Sequence, residues 1–292
     1  MVLGFLASQL LVGLSRAMIL FIVSAGLTFV LGVLRVPNVF HGSLYMIGAF
    51  SAFSIATQLG HHPASVWVAF LTAPLVVALI GLAVERTLLT RLYQREHLML
   101  ILFTFGVTLV LNDLVKLAWG ADYRSILPPP VLQGSAVLMG VPVPRYNLFL
   151  LAVGPLVALG MWLFTHRTRI GKLARAAAVD REMVALLGID VNHVFAGAFL
   201  VGAYLAGLGG ALVAPSTSIT LGMDHTILIE AFLIVTTGGL GNIWGALLGA
   251  LLFGLTQSLG VLIWPQFAIV FPYLATASVL LVRPRGLLRS VW

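Results

Sequence analysis

The chain has 292 residues, of which 60% are hydrophobic and only 9% charged, and it contains no cysteine. An ordinary globular domain carries about a quarter charged residues, so a soluble domain of this length is excluded and the chain reads as an all-α polytopic membrane protein. Disulfides, thiolate metal sites and cysteine nucleophiles are excluded with it, and the formal net charge of +7 does not indicate nucleic acid, because the basic residues fall between apolar runs.

A bilayer core about 30 Å thick needs roughly 20 apolar residues per helix. The first apolar run, Val2 to Leu34, contains a single charge, Arg16. It reads as a short interfacial lead and a span over 12–34, with Arg16 snorkelling outward. Lacking a basic n-region, the run is expected to stay as a first helix rather than be cleaved as a signal. Arg35-Val36-Pro37-Asn38 then breaks the pattern. Further spans are expected at 40–58, 64–84, 98–119 and 146–164. His61 and His62 fall in the turn after the second span and read as solvated loop residues, since no third ligand stands at metal spacing. Arg86, Arg91 and Arg95 make a basic loop after the third. The proline-rich stretch from Gly120 to Arg145 reads as an exposed, irregular outer loop.

The segment from Thr165 to Val194 is the longest charge-bearing one. It holds Arg167, Arg169, Lys172, Arg175, Asp180, Arg181, Glu182 and Asp190. A sixth span follows at 194–214. The apolar run over 227–262 is too long for one helix and is interrupted at 236–242, so it divides into a half-helix, a break and a full span. A last span covers 267–282. The expected architecture is a single transmembrane domain over 1–292 with about eight to nine transmembrane helices. Broken helices are expected near 35–42 and 236–243. Placing the loops around Arg35, 86–96, 166–193 and 283–289 on one side collects most of the basic residues there. That side is therefore read as cytoplasmic, with the carboxyl terminus inside and the amino terminus outside.

Three stripes of small residues stand at four-residue spacing: Gly241, Gly245, Gly249; Gly202, Ala206, Gly210, Ala214; and Gly48, Ala52, Ala56. They suit close helix packing within one bundle or a seam with a second subunit. Polar residues at membrane depth are costly and tend to line a pathway or mark a broken helix. Two clusters qualify as candidate translocation-path residues: Asn38, His41, Ser43 and Tyr45 after the Pro37 break, and Thr236, Thr237, Gly238, Gly239 and Asn242, preceded by Glu230. The competing reading makes them helix caps and kinks. Asn112 is a further path candidate. Its neighbour Asp113 is expected to pair with Lys116, one helical turn on. No phosphate-loop, nucleophile-elbow or metalloprotease pattern is present, so any energy for transport comes from a gradient or from another chain.

Within the charged segment, Asp180 is a good N-cap, Glu182 suits the first helical turn and Gly188 suits the C′ position, which predicts a helix over 181–187. Met183, Leu186 and Leu187 share one face. Such a basic helical hairpin, pinned between two spans, fits insertion into a groove on a cytoplasmic partner. Lying on anionic lipid is the alternative.

The stretch Gly171-Lys172-Leu-Ala-Arg175 through Asp180-Arg181-Glu182 to Gly188-Ile189 resembles the coupling loop of the branched-chain amino-acid ABC permeases of the LivH/LivM type. Asn38-Val-Phe-His41-Gly42, Thr104-Phe-Gly106, Leu111-Asn112, Gly238-Gly239-Leu240-Gly241-Asn242 and the tail Arg283-Pro284-Arg285-Gly286-Leu287 are similar to the LivH-like member in the same order. The resemblance covers essentially the whole chain.

It implies a permease subunit of an ATP-driven importer in the bacterial inner membrane. Branched-chain or hydrophobic amino acids, or a related small solute such as urea or an aromatic acid, would be handed over by a periplasmic binding protein. The implied partners are a second, LivM-like permease, two cytoplasmic ATPase subunits and membrane lipid. The chain itself would be no enzyme and hold no cofactor, with ATP and magnesium on the ATPases. Gly171, Lys172, Arg175, Asp180, Arg181, Glu182, Met183, Leu186 and Gly188 would couple to them. The rival reading is a secondary carrier driven by an ion gradient, with Glu230 as its proton or sodium site.

Overall fold

Long apolar stretches with no water to satisfy their backbone groups must bond internally, and helices result. The computed structural model describes residues 2–288 apart from His61, Gln94, Met139 and Gly140. His61 of the histidine pair and Arg289 of the basic tail thus lie outside the described residues. The elements in order are α1 (Val2–Leu34), α2 (His41–Gln58), α3 (Ser65–Thr87), α4 (His97–Trp119), strands β1 (Ser135–Leu138) and β2 (Val141–Pro144), α5 (Arg145–Arg167), α6 (Arg169–Val179), α7 (Arg181–Leu186), α8 (Val191–Val213), α9 (Met223–Gly238), α10 (Ile243–Ile263) and α11 (Val270–Val282). Among the described residues, six helices are long and apolar enough to cross a membrane, and the shorter α2, α9 and α11 complete the bundle. The expected all-α polytopic fold is therefore found, with its spans near the expected positions.

Three expectations are corrected. The lead and first span are one helix, since nothing between Val2 and Leu34 interrupts the backbone ladder. The 120–145 segment is not irregular throughout, because β1 and β2 pair antiparallel from Ser135↔Pro144 to Leu138↔Val141. Its prolines 142 and 144 are tolerated because a two-stranded hairpin consists of edge strands. Arg124 also bridges to Ile219, its N–H donating to the Ile219 carbonyl at 3.0 Å and the reverse bond measuring 2.7 Å. This pins the loop to the link between α8 and α9. Finally, Asp113 and Lys116 form no ion pair among the described residues. Both are exposed, where such a pair contributes little.

The core is built around α1 and α8, which pack on each other; α8 also packs on α2 and α3, and α1 on α10. Their contacts run through backbone. A Cβ on Gly202 would meet Val30 and the Gly26 carbonyl, one on Gly26 would lie 2.8 Å from the Gly202 carbonyl oxygen, and one on Gly210 would strike the Tyr45 carbonyl and come within 2.9 Å of the Ala49 nitrogen. Gly48 lies against Gly207 in the same way, and Gly245 and Gly249 press on Gly238 and Ile234 of α9. The stripes are consumed within the bundle. By contrast α4 and much of α3 expose rows of leucine, such as Leu71, Leu75 and Leu79, and Leu102, Leu109 and Leu117. Such faces suit lipid or another apolar chain.

Three side chains start three consecutive helices. The Thr168 hydroxyl accepts from the Gly171 N–H at 3.0 Å, Asp180 from Met183 at 3.0 Å, and Asp190 from Asn192 at 2.9 Å. Helix α7 ends as expected, with Gly188 at φ 78°.

Overpacking a filled site costs about 1–3 kcal/mol. Gly210→Val should therefore lower the melting temperature of the detergent-solubilised chain by several degrees. Gly160→Ala, with nothing within 4 Å of the new Cβ, should leave it unchanged or raise it. The hydrogen bond from His193 Nδ1 at 2.7 Å, and then that from the Asn192 N–H, hold the Asp190 carboxyl below its ordinary range. A depressed carboxyl contributes stability above its unfolded range and loses it as pH falls through the folded value. Hydrogen exchange at the first turn of α8, corrected for intrinsic rates, should accelerate on acidification, and Asp190→Asn should remove that pH dependence while keeping the cap.

Candidate translocation site

Helix α1 runs from the end that carries the β-hairpin to the end that carries α6 and α7. At its last turn Arg35 adopts φ 55° and its guanidinium donates to the Ala178 carbonyl of α6 at 2.7 Å. A cation on the last carbonyls of a helix meets the negative end of its dipole. The chain then turns back into the bundle, and α2 begins at depth. His41 is 1% exposed, and its Nε2–H donates to the carbonyl of Val23, well inside α1, at 3.1 Å. The expected break near 35–42 is thus a re-entry followed by a helix that starts inside the protein. Asn38, beside it, is buried with neither side-chain polar atom hydrogen-bonded to the described residues.

At the hairpin end a cavity of about 700 Å³ opens between α1, α5, the end of α8 and the start of α9. Its lining combines polar side chains (Ser15, Asn147, Ser216, Thr217, Ser218, Thr220 and Thr226) with aliphatic ones (Ile19, Leu20, Leu150, Val213 and Ile227). It also holds an ion pair, Arg16 Nη2 donating to Glu230 Oε1 at 3.0 Å. Arg16 does not snorkel outward; Glu230 neutralises it in place, and removing either partner would strand a charge. Tyr45 also borders the cavity. A second hollow of about 620 Å³ between α3, α5 and α8 is lined almost wholly by apolar side chains and has no charge, so the first is the candidate site for a polar solute.

Behind the cavity lies a second buried charge. Asp224, in the first turn of α9, is 1% exposed; its Oδ2 accepts from Asn112 Nδ2 at 2.7 Å and from the Ser43 hydroxyl at 3.3 Å. The carboxylate joins α2, α4 and α9 at the point where two helices begin.

Tyr45 and Glu230 therefore line the cavity, while Ser43 and Asn112 meet on Asp224 beside it, and Asn38 and His41 occupy the re-entry. Thr236, Thr237, Gly238, Gly239 and Asn242 do not join them. They form the turn from α9 to α10 at the α6–α7 end, where Gly241 and Asn242 lie with Thr165 and His166 at the close of α5. Asn242 caps α10, its Oδ1 accepting from the Gly245 N–H at 3.0 Å. Here the chain seats its own tail: Leu287 N–H donates to Thr237 at 2.7 Å and Leu288 N–H to Gly238 at 3.1 Å. Gly239, at φ 105°, has no room for a side chain against the Leu288 carbonyl. Two motifs read separately in the sequence are thus one contact.

Sequence reasoning missed Arg16 and Asp224 as site residues. The signal was available for the first: a lone base in one apolar run and a lone acid in another are expensive alone and neutral together.

The coupling candidates form one unit. Buried Gly171, Ala174, Ala177 and Ala178 seat α6 against α5 and α8, and Val184 seats α7. Gly171 in particular lies against the Phe164 carbonyl and Thr165. The other face is open. Lys172, Asp180 and Glu182 are exposed and Arg175 half-buried. Arg181 has its guanidinium 5.4 Å from the centre of the Phe195 ring. Val179, Met183, Leu186 and Leu187 form an apolar knob, Leu186 being 82% exposed.

A family model described as "Branched-chain amino acid transport system / permease component" matches residues 9–282. The chain belongs to this permease family. It is 31% identical to the high-affinity branched-chain amino acid transport system permease protein BraD of Pseudomonas aeruginosa, over 96% of this chain and 94% of that protein. It is 27% identical to the corresponding permease LivH of Salmonella typhimurium, over 91% and 90%. The ribose import permease protein RbsC of Haemophilus influenzae is 25% identical over 89% and 79%. As a member of a family of transport permeases with six long apolar helices, the chain is a multi-pass membrane protein and a transport subunit.

Leaving a buried carboxylate short of its donor costs about 1–3 kcal/mol, whereas removing both partners is milder. Asn112→Leu should thus lower the melting temperature more than Asn112→Leu combined with Asp224→Leu; equal losses would show that the Asn112–Asp224 bond contributes nothing.

Proposed function

We propose that the chain is the transmembrane permease of an ATP-driven importer of branched-chain or other hydrophobic amino acids. It would work with a second homologous permease, two cytoplasmic ATPase subunits and a periplasmic binding protein that delivers the solute. The α6–α7 end is then cytoplasmic, together with the carboxyl terminus, and the cavity faces the binding protein. The observation that carries this reading is the knob. A helix pair fixed on one face by small residues and leaving four large apolar side chains exposed has the form of a rigid plug for a groove on another protein. Exposed apolar side chains of that size are otherwise a solubility cost. The distribution of basic residues supports the orientation, and the amino-acid permeases among its relatives support the substrate class.

Glu230 weighs against the ion-driven carrier. A lone proton or sodium ion at Glu230 would sit beside the Arg16 guanidinium, 3.0 Å away, and bring no anion to replace the carboxylate that Arg16 would lose. The lipid-bound alternative for the hairpin is also less favoured. Lying flat on anionic lipid places bases beside the apolar face, whereas at α7 the two acids Asp180 and Glu182 flank the single base Arg181 beside the leucines.

Purification of the chain from its native membrane should bring down an ATPase and a second permease. Replacing Leu186 and Leu187 together by Asp should remove the ATPase from the complex and reduce uptake at least tenfold, about the loss expected of a buried interface anchor. The amount of chain in the membrane should be unchanged. Normal uptake in that variant would reject the coupling role.

A further inference from the structure

We propose that the Arg16–Glu230 pair is a head-group reader: a passing solute's carboxylate is taken by Arg16 and its ammonium by Glu230, so that the cavity selects zwitterions. The proposal rests on the reading of the chain as an amino-acid permease and specifies how its cavity would know one.

The pair is built to be opened. Arg16 carries five N–H donors, of which Nη2 is engaged by Glu230, and its side chain is 47% exposed to the cavity. Glu230 is engaged through Oε1, while Oε2 has no hydrogen bond among the described residues. An amino acid bears its opposite charges on neighbouring groups. It can lie antiparallel to the protein's pair, each charge meeting its opposite, without changing the net charge of the site. A carboxylate alone would face Glu230, and an amine alone would face Arg16; each then meets a like charge at short range, where the interaction is least screened. A neutral polyol gains the hydroxyl wall but has no charge to exchange for the existing bond. In the same lining, Ile19, Leu150 and Ile227 offer aliphatic surface to a branched side chain.

The test uses the complete transporter with its co-purifying subunits in nanodiscs, without the binding protein, and reads ligand binding by saturation-transfer NMR. The probes are L-leucine, 4-methylpentanoate (no amine) and 3-methylbutylamine (no carboxylate). Leucine is expected to bind at least about tenfold more tightly than either single-charge probe, the worth of one charge-assisted bond. Arg16→Gln combined with Glu230→Gln should bring the three probes level. Should that variant fail to assemble, the ranking of the three probes on the native protein decides alone. The proposal is overturned if leucine binds no better than the single-charge probes, if it does not bind, or if the assembled double variant keeps the preference. Leucine uptake by the transporter with its binding protein separates the two levels. Uptake without head-group preference sinks only this proposal, whereas no uptake of any amino acid sinks the reading beneath it.

Discussion

Backbone-to-backbone approach between helices is the constraint on which this molecule depends. In lipid, one apolar side chain has no reason to prefer another over an acyl tail, so helices must be held by close contact and by polar bonds. Gly26, Gly202, Gly207 and Gly210 bring α1, α2 and α8 into contact at distances a side chain would forbid. Because those helices sit so close, α2 can begin inside the bundle and place His41 on a carbonyl of α1. The resulting scaffold positions Tyr45, Ser43 and Asp224 around the start of α9.

Three charges inside the bundle or at its helix ends are each set against a partner. Arg16 meets Glu230, Asp224 meets two neutral donors, and Arg35 meets the end of a helix. Each is an isolated charge in its own stretch of sequence, and each is compensated by a partner distant in the chain. Such pairing across helices specifies which elements neighbour one another as well as stabilising them. The cavity is lined by one charged pair among hydroxyls and aliphatic groups.

How much of this the sequence revealed varies with the range of the interaction. Spans were legible because an apolar run is a local property, and Asp180, Glu182 and Gly188 marked α7 because capping is satisfied within a few residues. The break at 236–242 was legible from its glycines, but its role was not: what Gly238 and Gly239 receive is a tail some fifty residues later. The same holds for Arg16, read as snorkelling until Glu230 stood beside it, and for Asp224, which in sequence is one acid in a polar link. Asp113 and Lys116 erred in the opposite direction. Their spacing permits a pair, yet both face outward, where nothing compels them to meet. Gly120–Arg145 looked structureless because proline masks a hairpin whose partners are distant in sequence: β2 packs on α1 with Val143 buried, and Arg124 bridges to Ile219.

The continuity of α1 has a mechanical implication. It contains no proline and runs unbroken for 33 residues, roughly 50 Å at 1.5 Å per residue. Arg35 fastens one extremity to α6, and Arg16, farther along, forms part of the cavity wall. A stiff rod joined in this way does not absorb a push; it delivers it. A tilt of α6 by a small angle would therefore move the guanidinium opposite Glu230 without any intervening hinge, so that a displacement at one end of the bundle would become a change of shape near the other.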